Sequence, residues 1–149
     1  MDSKDRVKAY GAVYSVITKT IKQYVSPSPL IYFSKMNEEL YAAYTQASSG
    51  DEFFPTRFYR DMADAVLRWA FDGFAGVAED CLVDTVSEIW KFHKRFLLLD
   101  RVTDESIEGA VDEVDALPDV RLNKNIRRLY VAVLMDIDRL NAQGRQSEG

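Results

Sequence analysis

The chain has one cysteine, Cys81, and one histidine, His93, in 149 residues. A lone cysteine closes no intramolecular disulfide. A lone histidine cannot furnish the two Glu-x-x-His pairs that a di-iron bundle requires. No metal or other cofactor is therefore expected. The longest unbroken apolar run, Leu129 to Met135, has seven residues, whereas a helix needs about twenty to cross a bilayer. No membrane-spanning segment is expected. Met1 to Arg6 is charged and lacks the apolar stretch of a secretion signal. With the single thiol, this points to a reducing, cytoplasmic compartment. Nowhere do four or more β-formers alternate with polar residues between turn signals; Asn-Gly is absent, and the one Asp-Gly pair, Asp72-Gly73, follows a helical stripe rather than joining two such runs. A sheet is not expected.

What is present is material for a helical core. A chain of this length buries roughly two-thirds of its unfolded surface in one domain, and 47% of its residues are apolar. The expectation is a single all-α domain over 1–149, a bundle of about five to six amphipathic helices, with a frayed tail over about 142–149. Val7, Tyr10, Tyr14, Ile17, Ile21 and Tyr24 are spaced alternately three and four apart, the seam of a first helix. Ser26-Pro27-Ser28-Pro29 breaks it, because proline lacks an amide donor and disfavours helical geometry in the preceding residue. Met36, Leu40, Tyr44 and Ala47 mark a second helix. Phe58, Met62, Ala65, Val66 and Trp69 mark a third, opposite a charged face of Arg57, Arg60, Asp61, Asp64, Arg68 and Asp72. Gly73 and Gly76 should end it. The most apolar segment, near 77–99, is expected to be the central helix. Thr103 can cap a short acidic helix that Pro118 stops. Ile126, Tyr130, Val133, Ile137 and Leu140 mark the last.

Charge is unevenly distributed over a net of −5. Residues 1–25 carry five positive and two negative charges, 103–120 carry seven negative and none positive, and 121–149 carry six positive and three negative. The acidic helix holds Asp104, Glu105, Glu108, Asp112, Glu113 and Asp115. Its self-repulsion calls for compensation, either from basic residues of the chain, with Lys91, Lys94, Arg95, Arg121, Lys124, Arg127 and Arg128 as candidates, or from a partner facing Glu108, Asp112 and Asp115.

Few residues carry chemistry. His93 falls inside the apolar arc of its helix, among Leu82, Val86, Ile89 and Leu97. There it either hydrogen-bonds a tyrosine or carbonyl of the core, or serves as a general base or pH-sensitive group. A nucleophile or orienting carboxylate would be needed for catalysis, and none is evident from local spacing. Asp80, Asp84 and Glu88 form an i, i+4 ridge flanked by Lys91 and Arg95, which reads as a surface. Cys81 reads as a buried, inert thiol; the alternative is a nucleophile activated by the helix start. Phe53, Phe54, Phe58 and Tyr59 around Pro55 either plug the core or line a ligand groove.

Phe54-Pro55-Thr56-Arg57, two long helices and Arg95-Phe96-Leu97-Leu98-Leu99 together resemble small four-helix-bundle proteins associated with retroelements and ribosomal RNA insertions, over about half of the chain. Those proteins are basic, with one helix before the Phe-Pro; this chain is acidic with two, so no residue role is carried across. The function expected is non-catalytic, a helical interaction or assembly module that binds another protein or itself, with a homodimer as the expected state. Two alternatives remain: a nucleic-acid-associated accessory protein using the basic first and last helices, which the net charge disfavours, and an enzyme or small-ligand-binding bundle centred on His93.

Overall fold

Apolar stripes at helical spacing can be buried only against one another, and that requirement assembles the bundle. In a computed structural model, which describes residues 3–24 and 54–148, the elements are helices α1 (Ser3–Tyr24), α2 (Phe54–Phe71), α3 (Leu82–Leu97), α4 (Asp104–Asp115), α5 (Pro118–Leu122) and α6 (Lys124–Glu148), with a 3-10 turn at Glu79–Cys81 before α3. The chain is an all-α helical bundle, and no strand occurs among the described residues. The expected helix around Met36, Leu40, Tyr44 and Ala47, the Ser26–Pro29 break and Phe53 lie outside the described residues.

Local chemistry sets the boundaries. After Phe71 the backbone enters the left-handed region at Gly73 (φ 70°), Phe74 (φ 54°) and Gly76 (φ 86°), which ends α2. A side chain at Gly76 would be strained at that φ and would also collide with the Asn123 amide. That amide donates to the Ala75 carbonyl at 2.8 Å, and the Trp69 indole donates to the same oxygen at 3.2 Å. The segment expected as one helix over 77–99 is therefore regular only from Leu82 to Leu97. Thr103 caps α4: its hydroxyl accepts from the Ser106 amide, and the Ser106 hydroxyl accepts from the Thr103 amide, both at 3.2 Å. Pro118 takes the first position of α5, where its missing donor costs nothing. The Asn123 side chain then accepts from the amides of Asn125 and Ile126 and opens α6.

The stripes face inward as their spacing requires. Tyr10, Tyr14, Ile17 and Ile21 of α1 are buried, as are Phe58, Met62, Ala65, Val66 and Trp69 of α2. So are Leu82, Val86, Ile89, Phe92, His93, Phe96 and Leu97 of α3. α6 packs against α2, α3, α4 and α5, while α1 lies on α3 and α2. α1 and α3 run antiparallel, since the Arg6 guanidinium reaches the Leu97 carbonyl and Gly11 sits against the Trp90 indole. A Cβ at Gly11 would lie 3.5 Å from that ring. Among the described residues, no helix is long and apolar enough to cross a membrane.

Candidate functional site

Two features meet where α1 and α3 cross. The first is a buried polar cluster to which all four long helices contribute. His93, fully buried on α3, places Nε2 2.8 Å from Asp136 Oδ2 on α6 and Nδ1 2.9 Å from the Tyr14 hydroxyl on α1. Asp136, also fully buried, accepts from the Tyr10 hydroxyl at 2.7 Å through Oδ1. Nη2 of Arg139 stands 3.5 Å from Asp136 Oδ1, and Nη1 stands 3.3 Å from Asp61 Oδ2 on α2. The order of donors follows from these contacts. A carboxylate only accepts, so Asp136 takes the Nε2 hydrogen of His93; when the ring carries that one hydrogen, Nδ1 accepts from Tyr14.

Aromatic rings enclose this chain of hydrogen bonds. The His93 ring meets Phe58 edge-on at 4.6 Å between centroids and Tyr10 at 5.0 Å. Burial, together with the nearby Asp136 carboxylate, pushes the Tyr10 and Tyr14 hydroxyls well above the ordinary tyrosine range. They remain neutral donors. With both ring nitrogens engaged and no solvent exposure, His93 presents no atom to a ligand arriving from outside. Its arrangement ties α1, α3 and α6 together.

The second feature is a groove of about 390 Å³ between α1 and α3. Its floor is Tyr14, Val83, Val86 and Trp90, and its rim carries Ser15, Ser87, Lys19 and Lys22. Trp90 stacks at a tilt on Tyr14, 4.7 Å between centroids, so the groove floor rests on the same tyrosine that bonds His93. Among the described residues the charges lining the groove are the two lysines, although the chain as a whole is acidic.

The other expected site residues are placed as follows. Phe58 and Tyr59 are buried, Phe58 within the ring of aromatics around His93. Phe54 opens α2, and its side chain is outside the described residues. Glu108, Asp112 and Asp115 are exposed along α4. Part of the acidic helix is compensated internally, by Arg95 at 2.6 Å from Glu113 and by the Arg121 guanidinium on the Asp115 carbonyl at 2.9 Å. Asp80, Asp84 and Glu88 are exposed, and Lys91 pairs with Glu88 at 3.4 Å. Among the described residues, no group of three His, Cys, Asp or Glu side chains is placed to hold a metal ion.

Cys81 requires a correction. It is exposed rather than buried, at the end of the 3-10 turn that precedes α3. Its thiol is raised rather than lowered, first by the neighbouring Asp80 carboxylate, then by desolvation, a hydrogen bond to Asp80 and the Asp84 charge. Four unfavourable influences on a thiolate outweigh the modest pull of a helix start.

Asp136 and Arg139 are absent from the sequence-based expectations. The available signal was register: Asp136 lies three residues after Val133 and four before Leu140, so a carboxylate occupies the apolar stripe of α6. An acid on the buried side is costly unless paired, so that position implies partners for the carboxylate.

A comparison with models of protein families, with curated proteins and with solved structures finds no match to this chain. The class that the fold and site define is thus a helical bundle with a buried Tyr-His-Asp-Tyr cluster beneath a basic-rimmed groove.

Proposed function

We propose that the protein is a non-catalytic helical interaction module whose α1/α3 groove receives an acidic, amphipathic protein segment. The observation that carries this reading is the groove itself, with an aromatic and aliphatic floor beneath a rim whose charges, among the described residues, are Lys19 and Lys22. An apolar floor rewards a hydrophobic side chain, and paired lysines reward carboxylates one helical turn apart. The buried cluster contributes rigidity, since Tyr14 is fixed by His93 and in turn supports Trp90. Preorganisation of this kind reduces the entropy lost on binding. A reducing, cytoplasmic setting accords with a chain that uses a single, exposed cysteine.

Trp90 provides the test. In a Trp69→Phe background it is the remaining tryptophan, and its emission reports on the groove. An acidic amphipathic helical peptide should shift that emission to shorter wavelength, with an effect that weakens in salt. A peptide of the same apolar pattern with lysines in place of the acids should not. Equal responses to both peptides, or none, would overturn the reading. A response confined to a single-stranded oligonucleotide, with a steep salt dependence, would replace it with binding to phosphates.

A further inference from the structure

We infer that the acidic segment is helix α4 of a second copy of this chain, so that two molecules pair by exchanging α4 into each other's α1/α3 groove. This rests on the groove reading above and names its occupant. α4 presents an exposed stripe in which Glu108, Val111, Asp112 and Asp115 follow at i, i+3, i+4 and i+7, on one face of a helix. Val111 is 37% exposed, an aliphatic knob set among carboxylates. The groove offers the complement: Trp90 and Val83 below, and Lys19 and Lys22 three residues apart on the rim. Asp112 and Asp115 share that three-residue spacing, about 4.5 Å along a helix axis in both cases.

The two surfaces do not satisfy each other within one molecule. Among the described residues the groove is lined from α1 and α3, and α4 rests on α6 and α5 with Glu108, Asp112 and Asp115 exposed. They nevertheless border the same helix, because α3 forms one wall of the groove and reaches α4 through the Arg95–Glu113 pair. Surfaces flanking one element can be brought against their counterparts by a single two-fold axis, giving a closed pair with two equivalent contacts. A heterologous contact that did not close would leave one groove and one acidic helix unpaired at each end. The mixed sign of the sequence, basic in 1–25 and acidic in 103–120, then reflects a chain that carries both halves of its own interface.

The experiment is sedimentation equilibrium on the full chain with two double charge reversals, Lys19→Glu with Lys22→Glu and Asp112→Lys with Asp115→Lys. All four positions are exposed, and circular dichroism verifies that each variant remains helical; if a double variant unfolds, Lys22→Glu and Asp115→Lys alone replace it. The wild type should be dimeric at micromolar concentration. Each variant by itself should associate about tenfold or more weakly, since like charges then face each other in both contacts. An equimolar mixture of the two variants should recover a dimer of near wild-type strength, because one molecule's reversed groove meets the other's reversed α4 and the remaining pair is native. A wild type that stays monomeric at every concentration overturns the second copy as occupant, while the Trp90 peptide response still judges the groove independently. Association that survives either reversal, or variants whose mixture fails to restore it, overturns the exchange of α4.

Discussion

At the residue scale, the protein's chemistry is concentrated in one carboxylate. Asp136 accepts from Tyr10 and His93 and lies beside the Arg139 guanidinium, whose Nη2 is buried without a hydrogen-bond partner among the described residues. Removing the acid would leave the Tyr10 hydroxyl and His93 Nε2 without their acceptor and Arg139 with Asp61 as its remaining carboxylate. Asp136→Ala should therefore cost about 3–5 kcal/mol, the range for breaking a buried ionic pair by deleting one member. Asp136→Asn should cost clearly less. Its amide oxygen still accepts from Tyr10, its NH2 donates to Nε2, and the imidazole can move its hydrogen to Nδ1 and donate to the Tyr14 oxygen. Nitrogen-15 NMR of the ring checks the mechanism along with the denaturant melts. The neutral wild-type ring should carry its hydrogen on Nε2 and the Asn variant on Nδ1. Equal costs for Ala and Asn, or a wild-type ring protonated at Nδ1, would contradict this donor order.

At the scale of elements, much of the bundle is legible in the sequence and most of the site is not. Stripes such as Phe58, Met62, Val66 and Trp69 repeat at the helical period, and Thr103, Gly73 and Gly76 carry their own backbone chemistry, so helices and their ends follow from neighbours in the chain. The cluster depends on which helix lies against which. His93 and Asp136 are separated by 43 residues, Tyr10 and Asp136 by 126, and no local period encodes such a meeting. The groove is harder still, since it exists only where two packed helices leave Trp90 partly uncovered. For α3 the division into inner and outer faces makes a measurable expectation. Ile89 and Phe96 are buried, so Ile89→Ala or Phe96→Ala should cost about 2–5 kcal/mol through lost transfer energy and residual cavity. Asp84 is exposed, and Asp84→Ala should change stability by less than about 0.5 kcal/mol. Urea melts decide it. An Asp84 as costly as Ile89 would mean that the carboxylate ridge is covered.

At the scale of the whole molecule, the core is held by aromatic side chains that also titrate, and this gives the fold an alkaline limit. Tyr10, Tyr14, Tyr59 and Tyr130 are buried on α1, α2 and α6. Desolvation is the largest cause at each; it pushes Tyr59 and Tyr130 up to about 12 and Tyr10 and Tyr14 higher, the last two opposed by Asp136 as well. A tyrosine is neutral when protonated, so burial favours the protonated form and the folded chain keeps its phenolic hydrogens to higher pH than the unfolded chain. Below the ordinary value of 10.0 both states are protonated and the stabilisation is complete. Above it the unfolded state sheds protons that the folded state retains, and stability falls with rising pH by linkage. The loss grows through the interval from pH 10 to 12, with four groups acting in the same direction. Phenolate absorbance near 295 nm (an approximate ultraviolet marker) and far-ultraviolet circular dichroism, followed together, test this. The buried tyrosines should ionise in one steep step that coincides with the loss of helix. A gradual titration of all eight tyrosines near pH 10 with the helix intact would mean that these hydroxyls are open to solvent and that the cluster around His93 is not closed.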